Sequence, residues 1–398
     1  MRMPDTVAGS EARWLSALAI VPVVAIPARN EAARITNCLL ALARQTRRPD
    51  GVVLLLNNCT DATEAIARRL ASHLPYRLHV VCHTFPPALA NAGNARRLAM
   101  RYAADLAAGD GVLLTTDADT IVADDWVERN LRAIHAGAEV VCGRVVIDPV
   151  EAALIPAHLH ADDARERELT AMLDAIACLL DPDLADPWPR HTEAAGASLA
   201  VTYAAFMRVG GIPAVAAGED RAFVRALARI DAPIRHDPSI QVITSGRLIG
   251  RAPGGMADTI SRRMRKQDEF ADDTLEPAAN AYRRIDFRRR ARVAWQQRPL
   301  GRLAPRELSA DLGIADAALQ SILDTSCFGA AWAEIEAQSP YLLRRRVRFA
   351  ELPREIAYAR QLLELHVDTP RVRPRLAMMS GLGNVAIEQE HHRNSLDR

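Results

Sequence analysis

What most limits how this chain can fold is an alternation, beginning near Val21, of short apolar runs with segments of helical periodicity. Residues 21–26, 52–56, 78–82 and 112–116 are apolar or β-branched runs, the pattern of strands buried on both faces of a parallel sheet. After the first run Ile35, Cys38, Leu39 and Leu42 recur at helical spacing. After the second, Thr60 or Asp61 is placed to cap a helix whose inner face is Ala65, Ile66 and Leu70, and residues 91–106 read as a third helix. This β-α-β-α order predicts right-handed crossovers and a mostly parallel sheet with helices on both faces. Ligands of such sheets bind beyond the carboxyl ends of the strands. Three polar clusters fall there: Arg29-Asn30-Glu31, Asn57-Asn58 and Asp117-Ala118-Asp119.

Composition removes several classes of function. The 398 residues, 49% hydrophobic and 25% charged, can fill two domains or one large domain with an appendage. With 50 Lys+Arg against 49 Asp+Glu there is no global basic field, so a nucleic-acid partner is not expected. Lys266 is the only lysine and no phosphate-loop motif surrounds it, which excludes P-loop and, elsewhere in the chain, Schiff-base chemistry. The cysteines are scattered without a C-x-x-C pair, against zinc-finger or disulfide frameworks. The apolar run 14–26 contains Pro22 and falls short of the ~20 residues of a spanning helix, so a cytoplasmic chain is expected. Beyond Lys266 the character changes: arginine crowds residues 282–306 and Arg344-Arg345-Arg346, and prolines cut the segment into short helical pieces. The expected organisation is an N-terminal tail (1–17), an α/β domain (18–265) and a mainly helical appendage (266–398). The arginines of the appendage suit stems packed over helix surfaces better than an anionic partner, so peripheral membrane contact is not favoured.

Three segments carry chemistry. Asp117-Ala118-Asp119 ends an apolar run; two carboxylates one residue apart can converge on a hard cation such as Mg²⁺ or Mn²⁺, or can cap the next turn and face water. Gly218-Glu219-Asp220-Arg221 leads into a helix at 222–230, where a carboxylate is either a cap or a general base. Thr244-Ser245-Gly246-Arg247 and the Gly250–Gly255 stretch interleave glycines with Arg247 and Arg251, suiting a loop over phosphate oxygens or an exposed turn. The small residues 195–200 permit close backbone approach. His191 and His236 flank these motifs as optional metal ligands.

Together these segments resemble the family 2 inverting glycosyltransferases of GT-A fold, over about residues 21–260. Pro27-Ala28-Arg29-Asn30-Glu31 is similar to the family's P-x-x-N-E turn, Asn57–Thr63 to its second signature, and Asn91–Arg96 to the segment before its nucleotide-contacting helix. Asp117-Ala118-Asp119 matches its metal motif and Glu219-Asp220 its acceptor-side pair. The resemblance implies a GT-A (nucleotide-diphospho-sugar transferase) α/β fold, a nucleoside diphosphate sugar donor and transfer of a hexose with inversion. It places Pro27, Arg29, Asn30, Glu31, Asn57, Asp61, Arg96, Asp117, Ala118, Arg247 and Arg251 at the nucleotide sugar. It places Asp119 and Asp117 at a Mn²⁺ or Mg²⁺ ion, which His236 could join from its place beside the motifs, and Asp220, with Glu219 as second choice, as the base. Asn57 stands near where the family has a base-contacting aspartate, which leaves uridine and guanosine open. The Q-x-x-R-W motif of processive synthases is absent, and the acceptor and oligomeric state are not indicated. A sugar-phosphate nucleotidyltransferase and a non-catalytic nucleotide-sugar-binding protein are the alternatives on this scaffold.

Overall fold

The computed structural model describes residues 20–215, 217–248, 250, 255–298 and 306–367. The predicted alternation is present as β1 (Pro22–Ala28), α1 (Ile35–Ala43), β2 (Gly51–Asn57), α2 (Thr63–Ala71), β3 (Arg77–His83), α3 (Ala92–Ala107) and β4 (Val112–Thr115). These strands belong to an eight-stranded sheet of order β3-β2-β1-β4-β7-β6-β8-β5. The first four strands in that order run parallel. Beyond β4 the sheet is mixed. β7 (Leu199–Thr202) is antiparallel to both β4 and β6 (Val140–Ile147), and the edge strand β5 (Thr120–Val122) is antiparallel to β8 (Ile234–Thr244). The mostly parallel expectation thus describes the first half of the sheet. The reversal has a local cause: β7 begins opposite Thr115, so its chain enters at the carboxyl end of β4 and must run back.

The period of two along the buried strands divides the core between the faces. Val24 and Ile26 of β1, with Leu54 and Leu56 of β2, pack against Ile35 and Leu39 of α1, Ala67 of α2 and Trp126 of α4 (Trp126–His135). Val23, Ala25, Val53 and Leu55 pack on the other side against Ala95, Ala99, Met100 and Ala103 of α3, with Phe206 and Phe223 beyond. The alanine face of α3 lets this helix lie close to β1 and brings its N-terminus to the strand ends. Pro27 continues β1 rather than ending it. It pairs with Leu55 on one side, while on the other β4 has already finished opposite Ala25, so the missing N–H interrupts no ladder.

Two compact units divide the chain: residues 1–159, 192–267 and 326–333, and residues 160–191, 268–325 and 334–398. The first holds the sheet. The second is helical, as expected of the appendage, but it also takes in residues 160–191. Leu169 and Ile176 there share an apolar core with Ala278, Leu352, Ile356 and Leu362. Its arginines are largely engaged internally. Arg284 binds Glu276 and Glu336, and Arg288 and Arg292 converge on the buried Asp181. Asp181→Ala removes a carboxylate hydrogen-bonded to both guanidinium groups. It should lower unfolding free energy by about 2 kcal/mol, read from the urea midpoint.

Candidate active site

In the first unit a cleft of about 390 Å³ opens at the carboxyl ends of β1, β2 and β4. The strand order reverses between β1 and β4, which makes this the crevice where an open α/β sheet receives a ligand. The cleft gathers Pro27, Arg29, Glu31, Asn57, Arg96, Asp117, Ala118, Asp119, Glu219, Asp220 and Arg247 from across the sequence.

Arg96, on the first turns of α3, is the hub. Its side chain is 6% exposed. Nη2 donates to Asp117 Oδ1 at 2.6 Å, Nε to Glu219 Oε1 at 3.1 Å, and Nη1 to both Thr115 Oγ1 and the Gly196 carbonyl at 2.8 Å. One guanidinium therefore ties the end of β4, the D-A-D turn, the 195–197 segment and the start of α8 (Glu219–Arg229). Burial opposes its charge, and Asp117 and Glu219 more than restore it, raising its pKa above the arginine norm. A Cβ at position 196 would fall on this guanidinium, which is why the close approach requires Gly196. The resemblance implied a diphosphate contact here; Arg96 is instead committed to protein groups on several sides.

Arg247 has a different setting. It follows β8, donates from Nη1 to Glu31 at 2.8 Å and pairs through Nη2 with Asp119 Oδ2 at 2.9 Å. Burial, then the neighbouring Asp117, push the Asp119 carboxyl up to about 6, and Arg247 works against that rise. The backbone at this turn is held by Glu151, which accepts from Ser245 Oγ and the Gly246 N–H and is itself paired with Arg34. Sequence reasoning missed Glu151, and no local signal marks a residue that acts 95 positions from Gly246.

Asp117 Oδ1 and Asp119 Oδ2 face the two arginines. Asp117 Oδ2 and Asp119 Oδ1 remain for a hard cation, and no group of three or more His, Cys, Asp or Glu surrounds them among the described residues. Two carboxylates with the remaining positions left to water and phosphate oxygens suit Mg²⁺ or Mn²⁺. Across the cleft, Gly218 is left-handed (φ 67°) and starts α8 directly at the rim. Asp220 Oδ2 accepts from the Gly196 N–H at 2.9 Å and Oδ1 from the Arg221 N–H at 2.7 Å, which fixes the carboxylate's orientation. Glu219 is buried against Arg96, whereas Asp220 is held by backbone N–H groups.

Several expected residues lie elsewhere. His236 is a correction: on β8 it lies opposite Cys142 of β6, five β6 residues or about 17 Å before the Ile147–Thr244 pair at the cleft end, and it does not border the cleft. Asn30 and Asp61 do not border the cleft. Asn30, left-handed at φ 56°, accepts from the Thr60 N–H, and Asp61 accepts from the Ala32 and Thr63 N–H groups. Both bind the first two loops together. Arg29 borders the cleft and donates to the Ala90 carbonyl. His191 is in the second unit, and Arg251 and the tail 1–17 lie outside the described residues. Asn57 borders the cleft and is 2% exposed; its Nδ2 donates to the Asn91 carbonyl while its Oδ1 has no partner. The Asn91 carbonyl sets the amide orientation, leaving a buried acceptor that lacks a donor.

With this cleft in place, residues 23–179 match the model of glycosyl transferase family 2. Residues 23–179 thus resemble a glycosyl transferase family 2 domain. Among solved structures, the chain is similar to S. aureus TarS in complex with UDP-GlcNAc (16% identity, 86% of this chain and 88% of that one, TM-score 0.43). It is also similar to the mannosyltransferase PcManGT from Pyrobaculum calidifontis in complex with GDP-Man and Mn²⁺ (18%, 91% and 96%, TM-score 0.40). A third is glucosyl-3-phosphoglycerate synthase from Mycobacterium tuberculosis in complex with Mn²⁺, UDP and phosphoglyceric acid (18%, 69% and 87%, TM-score 0.36). No curated protein matches the sequence. No helix among the described residues is long and apolar enough to cross a membrane.

Proposed function

We propose that this chain is a glycosyltransferase that moves a sugar with inversion from a nucleoside diphosphate donor to an acceptor hydroxyl, in a divalent-cation-dependent reaction. The observation that carries the proposal is that Asp117 and Asp119 share one cleft with Asp220, and that Arg96 ties Asp117 to Glu219, the neighbour of Asp220. Asp117 and Asp119 would hold Mn²⁺ or Mg²⁺, which, when bound, offsets the charge that builds on the departing diphosphate. Arg96 keeps the Asp117 carboxylate in place through its hydrogen bond and so fixes one of those two ligands. On the acceptor side, Asp220 takes the proton of the attacking hydroxyl as its oxygen bonds to the anomeric carbon and the bond to the diphosphate breaks. The Gly196 and Arg221 N–H groups hold the carboxylate at the rim for that transfer.

Asn57 supplies the nucleotide end of the site. Its unpartnered Oδ1 is buried, and once the amide turns toward the cleft the imino N–H of uracil or guanine would satisfy it where adenine and cytosine present an acceptor. Asn57→Ala should weaken UDP or GDP binding about tenfold at constant Mn²⁺. Calorimetry checks it.

Release of nucleoside diphosphate from a panel of donor sugars, with and without Mn²⁺, tests the function. Donor-dependent release that needs the cation is the expected result. Sugar nucleotide made from sugar phosphate and nucleoside triphosphate would mark a nucleotidyltransferase instead. Binding without turnover, across a panel of acceptors, would mark a non-catalytic protein.

A further inference from the structure

The two arginines of the cleft are held in unlike ways. Arg96 is buried and anchored in part by neutral groups, the Thr115 hydroxyl and the Gly196 carbonyl, which keep it in place whatever the charge state of the cleft. Among the described residues the Arg247 guanidinium is held only by carboxylates, Glu31 and Asp119, and its side chain is 21% exposed. Its tie to this position is therefore the negative charge that a divalent cation on Asp119 would cancel. Its backbone does not need to move for it to leave. The Ser245–Gly246 peptide is pinned by Glu151, and Arg247 N–H donates to Ser245 Oγ at 3.1 Å. The freedom lies in the long side chain pivoting on that fixed turn.

From this contrast we infer that Arg247 is an exchangeable counter-ion. It occupies Asp119 and Glu31 in the empty cleft, and it gives up Asp119 to the cation and passes to the donor diphosphate when the two arrive together. The inference rests on the donor-site reading above and adds a consequence to it: cation and nucleoside diphosphate bind interdependently. A cation arriving alone competes with the guanidinium for the charge of Asp119 and leaves it only Glu31. When the diphosphate is present its oxygens offer another anion, and the planar fork of arginine suits them. Two sites that share one movable charge are coupled, and such couplings span about 5- to 150-fold in affinity. The coupling is reciprocal, so the cation must strengthen nucleotide binding by the same factor as the nucleotide strengthens cation binding.

The test uses the full chain and three probes, Mn²⁺, UDP and GDP, with binding followed by calorimetry and by the electron paramagnetic resonance signal of free Mn²⁺. For the wild type, Mn²⁺ alone should bind weakly, and saturating UDP or GDP should tighten it by about tenfold or more. Arg247→Ala should bind Mn²⁺ alone about tenfold more tightly than the wild type, bind the nucleotide more weakly at saturating Mn²⁺, and lose most of the coupling. Arg247→Lys, which keeps the charge without the fork, should fall between them. Unchanged Mn²⁺ affinity in Arg247→Ala, with nucleotide binding intact in the wild type, overturns the exchange and leaves the donor site standing. Absence of any nucleotide binding by the wild type, with or without Mn²⁺, overturns both.

Discussion

Asp220→Asn is expected to reduce transfer by about 10²–10⁴-fold while leaving Mn²⁺-dependent nucleotide binding near the wild-type level. The substitution keeps the shape of the side chain but leaves one acceptor oxygen where two served, so only one of the Gly196 and Arg221 N–H groups that hold Asp220 at the rim keeps its hydrogen bond. What it removes is the capacity to take a proton from the acceptor. The loss should therefore appear in kcat and not in the donor KM, which separates a base from a residue that only shapes the cleft. Steady-state diphosphate release in the presence of acceptor, compared with calorimetric nucleotide binding, makes the measurement. Full transfer activity in the variant would remove Asp220 from the role. Glu219→Gln is the control: because Glu219 is buried against the Arg96 guanidinium, its substitution should lower stability as well as rate.

Arg96→Met is the second large effect, and it should strike fold and function together. The guanidinium makes four hydrogen bonds, two of them to carboxylates, and its side chain is 6% exposed. Methionine fills a similar volume but leaves Glu219 and Asp117 without the charge between them. Breaking one partner of a buried ion pair typically costs about 3–5 kcal/mol. The expected result is a drop of that order in unfolding free energy, read from urea midpoints, with loss of both transfer and Mn²⁺-dependent nucleotide binding. Arg96→Lys should recover part of the stability, since an ammonium restores charge but cannot reach Asp117, Glu219 and the Gly196 carbonyl together. A variant as stable as the wild type would mean that the hub is not what holds the D-A-D turn.

The strand and helix pattern of the first 116 residues was readable because buried parallel strands are continuous apolar runs and the helices between them are amphipathic; both signals are local. β1 to β4 and α1 to α3 appear where that pattern puts them. β7 was less legible. Leu199–Thr202 is short, and its antiparallel direction follows from entering the sheet beside the end of β4, a relation no window of sequence contains. His236 illustrates the same limit from the other side. Its residue type suits a metal and its neighbourhood in sequence looked right, yet strand geometry carries it to the far end of β8. Asn30 and Asp61 sit in motifs that point to the nucleotide, but their polar atoms close the loops on one another.

By itself the sequence determined the chemistry on offer: carboxylates at strand ends, arginine in place of lysine as the cation, and glycine where backbone must approach. Tertiary structure alone decided how those groups are shared. Arg96 lies 123 positions from Glu219, and Arg247 lies 216 from Glu31. At such separations an arginine that looks like a phosphate ligand can equally be the counter-ion of a buried carboxylate. The physical reason is that a charge removed from water takes whichever opposite charge the fold brings within hydrogen-bonding distance, and that distance is set by the packing of α3 and β8 against the sheet. Packing made Arg96 a permanent partner of Asp117 and Glu219, and Arg247 a partner of Glu31 and Asp119.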